Sequence, residues 1–255
     1  MPHAHAADTV ASSVVVASTG RNSDNCGVPG SWKQALEEVD ETATDVRAGR
    51  TWDQFGAASG VLFVVLVLPG IVLSAPSGDP TKPAAEIEQT ADGYAQVKVG
   101  IYLMLVAVFF FLTFLAYLNH YLRAAEGPEG WMAGVVHGGG LVAAAVLLVL
   151  GAIRLAATVV SDYEGDPQVA KTFVLLDWDY AGVLGPAFAA VVGGTSVIAL
   201  RFGLLPRALA WTGAVLAGLL AFSGFYGGSL VAVGVLWILV LAIALLVRAF
   251  SGVPA

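Results

Sequence analysis

Few side chains in this sequence combine a reactive type with an apolar setting, and those few define the chemistry open to it. His120 and His137 lie on neighbouring apolar runs joined by a short polar linker. Paired imidazoles placed that way can ligate a haem iron. Arg154 interrupts an otherwise uncharged run, with Asp162, Asp177 and Asp179 following in the chain. A guanidinium in such a place needs a carboxylate or an anion, because an unpaired charge in an apolar medium is expensive. Two uses follow: an ion pair holding two helices together, or contact with an anion or lipid head group. The stretch Asp162-Tyr163-Glu164-Gly165-Asp166 alternates acids as calcium loops do. Pro167 takes the place of the required glycine and Phe173 that of the closing carboxylate, so a solvated acidic loop is the better reading. No metalloprotease His-Glu-x-x-His motif, phosphate-cradling glycine loop or Gly-x-Ser-x-Gly nucleophile elbow occurs.

The elements that must position these residues follow from composition. Of 255 residues 57% are hydrophobic and 12% charged, about half the charge of a soluble domain. Mean hydropathy is +0.78. A water-soluble chain of this size could not cover so much apolar surface, which excludes a soluble enzyme, a disordered chain and a nucleic-acid binder. The net charge of −7 argues against holding anionic partners through bulk charge. Cys26 is the one cysteine, so neither an intrachain disulfide nor a thiolate metal site is available.

A membrane-crossing helix needs about 20 mostly apolar residues. Stretches free of Asp, Glu, Lys and Arg run over 54–78, 99–122, 130–153, 180–200 and 208–247. The last is long enough for about 60 Å of helix, and the turn-rich run from Ser223 to Ser229 divides it. The fold class is therefore all-α: a polytopic membrane protein with six transmembrane helices over about 55–74, 98–122, 132–158, 180–201, 205–223 and 229–250. Pro69 and Pro186 lie inside spans and predict kinks. Gly130, Gly134 and Gly138 form the stripe expected to pack tightly against a neighbour, although a chain this rich in glycine produces such spacings by chance.

Six crossings put the N-terminal segment, the 123–131 and 201–207 connections and the C-terminus on one side. Arg123, Arg201, Arg207 and Arg248 gather there, whereas the other side has Lys82, Lys98 and Lys171. Basic residues near span ends favour the cytoplasm, so both termini are expected inside the cell membrane. Trp52, Trp131, Trp178 and Tyr180 fall at span ends, where amphipathic rings prefer to sit.

Residues 1–30 read as a disordered segment, and residues 51–255 as the transmembrane domain. The run Val10 to Ala17 has no basic residue before it, unlike a signal peptide. Between them, 31–50 predicts a short amphipathic cytoplasmic helix closed by Gly49. Trp32, Leu36, Val39, Ala43 and Val46 share one face, a seam that rests on the bundle or docks a partner helix. Its five acids, Glu37, Glu38, Asp40, Glu41 and Asp45, make it a poor anchor on anionic lipid.

The run Gly203-Leu204-Leu205-Pro206-Arg207-Ala208-Leu209-Ala210-Trp211-Thr212-Gly213 reads physically as a short turn, a proline opening the next span and an arginine at the head groups. It resembles bacterial six-helix integral membrane proteins of a family of unknown function, which carry a similar run at this join. That resemblance implies the topology and a cytoplasmic-membrane location, and it transfers no catalytic residue. The expected role is a non-enzymatic scaffold, regulatory subunit or lipid-interacting protein, without a cofactor. The expected partners are membrane lipids, further copies of the chain or a membrane protein complex, and not nucleic acid. The alternatives are a small-solute transporter or channel, and a haem-binding or other intramembrane redox protein.

Overall fold

A computed structural model describes residues 31–74, 94–163, 167–223 and 229–251. Side chains are described for 51–74, 95–159, 168–169, 171–177, 182–223 and 230–251. All regular structure among the described residues is helical: α1 (Ser31–Ser74), α2 (Tyr94–Glu126), α3 (Met132–Tyr163), α4 (Pro167–Phe202), α5 (Arg207–Ala221) and α6 (Ser229–Ser251). The chain divides into two compact units, Met1–Val46 and Arg47–Ala255. In the first, residues 31–46 are helical. The expected disordered segment 1–30 and the side chains of Trp32, Leu36, Val39, Ala43 and Val46 lie outside the described residues.

In the second unit five helices are long and apolar enough to cross a membrane. The uncharged run 208–247 is divided, as expected, between α5 and α6. α5 is shorter than the expected 205–223 span. Its 15 residues reach about 22 Å, less than the roughly 30 Å of a hydrocarbon core. Pro206 stands at its N-cap, where a missing N–H costs nothing. Helical backbone continues through Gly49, where a stop was expected. Glycine lowers helix propensity by only about 1 kcal/mol and ends a helix reliably only in a left-handed conformation. That conformation occurs at Gly127 (φ 79°) and Gly203 (φ 70°). Their N–H groups close α2 and α4 onto Arg123 O at 3.0 Å and Ala199 O at 2.9 Å. α1 and α4 run through Pro69 and Pro186 without a break in helical backbone.

α4 is the central helix. Its most apolar window is 61% buried, against 39–44% for the other long helices. It packs chiefly against α3 and α5. Phe63, Phe111 and Phe188 carry the aromatic centre of the core across α1, α2 and α4, with ring centroids 4.6 and 6.0 Å apart. The outer faces stay apolar: Val72 is 74% exposed, Phe109 63% and Val215 63%. Water tolerates no such continuous apolar surface, so these faces are built for lipid.

Glycines set the closest approaches. A methyl group on Gly60 would meet Phe114 at 2.6 Å and Ala242 at 2.8 Å, which joins α1 to α2 and α6. One on Gly139 would meet Ala190 Cβ at 2.6 Å and Ala187 O at 3.1 Å. The expected Gly130-Gly134-Gly138 stripe is not a helix-packing face. Gly134 and Gly138 face open space, and Gly130 lies against Glu126 in the α2–α3 turn. The residues that face α2 and α4 are one and two places further on, at Gly139 and Gly140. Gly139→Ala is expected to cost about 1–3 kcal/mol by overpacking, whereas Gly134→Ala is neutral or stabilises by about 0.5 kcal/mol. Thermal unfolding in detergent checks both, and equal midpoints for the two variants would refute the assigned α3–α4 contact.

Candidate functional site

Polar groups buried between apolar helices need partners inside the protein. One such group dominates. Arg154, near the end of α3, is 7% exposed and Asp177 on α4 is 5% exposed. Arg154 Nε donates to Asp177 Oδ1 at 2.7 Å and Nη2 donates to Oδ2 at 3.1 Å. This two-pronged fit uses the planar fork of a guanidinium, which a lysine could not supply.

The other prong reaches α1 and α2. Nη1 donates to Ser74 Oγ at 2.7 Å and to Ile71 O at 3.4 Å, and lies 3.8 Å from Met104 Sδ. Ile71 and Ser74 belong to the last turn of α1, whose carbonyls have no intrahelical partner and whose dipole favours a cation. Ser74 in turn donates to Gly70 O at 2.6 Å, so its hydroxyl proton is used within α1 while its lone pairs face the guanidinium. Gly100 makes the crossing possible: a methyl group there would sit 2.9 Å from Gly70 O. Four helices thus converge on one guanidinium, each contributing from the same end of the bundle.

Of the acids expected near Arg154, the structure brings Asp177 to it. The side chains of Asp162 and Asp179 lie outside the described residues; of the expected acidic loop 162–166, the backbone of Asp162 and Tyr163 still belongs to α3, and 164–166 lie outside the described residues. His120 is exposed on α2, and His137 is half-buried on α3 with Nδ1 enclosed and unpartnered among the described residues. No hydrogen bond joins the two imidazoles among the described residues. No group of three His, Cys, Asp or Glu side chains there is placed to hold a metal ion.

Sequence reasoning missed Ser74, Met104 and the Gly70–Gly100 crossing. The signal available was Gly70-x-x-x-Ser74, a small-residue spacing typical of close helix contacts. It also missed three bonds at the opposite end of the bundle. Glu126 caps α3 by accepting from Met132 N–H at 3.2 Å and Ala133 N–H at 2.8 Å. Arg248 donates to Tyr121 Oη at 3.1 Å, tying α6 to α2.

Chemically the cluster is a clamp. The Asp177 carboxylate accepts two charge-assisted bonds and the guanidinium is shared among three helices, which leaves neither group as a free base or an open anion site. The fold and this cluster define a multi-pass, all-α membrane protein. Comparison with protein-family models, curated proteins and solved structures found no match.

Removing one partner of a buried pair strands the other charge and typically costs 3–5 kcal/mol. Asp177→Leu is therefore expected to destabilise the protein by about 3 kcal/mol, and Arg154→Met with Asp177→Leu to recover most of that loss. Thermal stability in detergent measures both. A single variant as stable as the parent would remove the clamp from the account.

Proposed function

We propose that this chain is a non-enzymatic, membrane-embedded scaffold or accessory subunit of the cytoplasmic membrane, with both termini on the cytoplasmic side. The observation that carries this reading is the saturated Arg154–Asp177–Ser74 cluster. The ionised groups described at depth in the bundle, Arg154 and Asp177, are spent on holding helices together. The basic residues at the ends of α2, α4 and α6 and at the start of α5 support the orientation. The 203–213 turn supports placing the chain with the bacterial six-helix membrane proteins it resembles.

As a scaffold, the chain engages its partner through the seam of Trp32, Leu36, Val39, Ala43 and Val46. Affinity purification of the full chain from native membranes after crosslinking is expected to yield a stoichiometric partner protein, lost when residues 31–48 are deleted. Purification of the chain alone, with solute flux in liposomes, would establish the transporter instead. Orientation is read from Cys26, the one cysteine. A membrane-impermeant maleimide should leave it unlabelled in intact cells and label it after permeabilisation. Labelling in intact cells would reverse the topology.

A further inference from the structure

A groove of about 580 Å³ runs along the outer face between α5 and α6. Trp211, Val215 and Leu219 form one wall and Val233, Trp237 and Val240 the other. Thr212 also lines it, but its hydroxyl is spent on Leu209 O at 2.9 Å. Trp237 is likewise fixed, its indole N–H donating to Leu209 O at 3.4 Å. The α5 wall repeats every fourth residue, which is one helix face, and the residue that heads this stripe one turn before Trp211 is Arg207. Arg207 is exposed and has no hydrogen-bond or ion-pair partner among the described residues. The neighbouring Arg201 lies over the Phe202 ring at 5.4 Å, and Arg248 is engaged by Tyr121.

We propose that this groove holds an acyl chain of an anionic phospholipid whose phosphate is bound by Arg207. The inference rests on the membrane-embedded reading above and adds a specific ligand to it. The groove from Trp211 to Leu219 extends about 12 Å along the helix, an apolar channel suited to a hydrocarbon chain. Its unspent cation stands at one end, which matches a molecule with a negative head and an apolar tail. The chain's overall negative charge does not oppose this, because recognition by Arg207 is local.

The full chain, reconstituted with equal phosphatidylglycerol and phosphatidylcholine and released in mild detergent, tests this by native mass spectrometry. The parent should retain phosphatidylglycerol over phosphatidylcholine by about fivefold, the effect of one basic residue at an anionic surface. Arg207→Gln should bring that preference to parity while lipid is still retained. Arg123→Gln, on the same side but away from the groove, should leave it unchanged. Val215→Trp should lower retention of both lipids. Val240→Trp fills the groove from the facing wall and serves if Val215→Trp fails to fold, as judged by its thermal midpoint. An Arg207→Gln protein with the parent's preference would overturn the site, as would a filled groove with full retention. So would a dimer that dissociates when the groove is filled. Release of the chain from native membranes by alkaline carbonate would overturn the membrane reading itself. A chain that stays integral and shows no preference would overturn the lipid site alone.

Discussion

In a hydrocarbon medium no water is available to complete a hydrogen bond, so an ionised group placed at depth must be answered by the protein. Arg154 shows what that demands. Its guanidinium takes a carboxylate from α4, a hydroxyl and a carbonyl from the end of α1, and a thioether neighbour from α2. The backbone obeys the same rule, hence the long unbroken helices and the left-handed glycines that close them at Gly127 and Gly203.

Lipid also weakens the usual reason for helices to associate, since the surrounding chains are as apolar as the side chains. Shape must then supply the contact. Gly60, Gly100 and Gly139 bring neighbouring backbones or side chains to distances that a single methyl group would forbid. These contacts and the Arg154 clamp act together: Gly70 and Gly100 bring α1 and α2 close enough for Ser74 to meet the guanidinium. Packing and polar bonding are one arrangement at that end of the bundle.

The helices were legible because charge is excluded from long windows, and that exclusion has a direct energetic cause. The break between α5 and α6 was legible from its turn residues. Helix ends were less so: α5 is shorter than its uncharged run suggested, and Gly49 does not stop α1, because stopping depends on a dihedral angle that composition does not carry. The Gly130-Gly134-Gly138 stripe failed for a related reason. Spacing identifies a face, whereas rotation of the helix decides which face meets a neighbour, and α3 turns Gly139 and Gly140 inward instead. At the site, Arg154 stood out as a charge in an apolar run, and Asp177 was one of three acids within reach. Ser74 and Met104 are ordinary residues for such a run, and only tertiary geometry distinguishes them.

The clamp also has a direction in time. Arg154 belongs to α3 and Asp177 to α4, so the cation is synthesised before its carboxylate. Until the fourth helix arrives, the nascent bundle carries a guanidinium whose insertion costs on the order of 3 kcal/mol, with the end of α1 and the Met104 thioether of α2 to soften it. Chains interrupted after α3 would therefore carry a guanidinium without its carboxylate at the very place where α4 must dock.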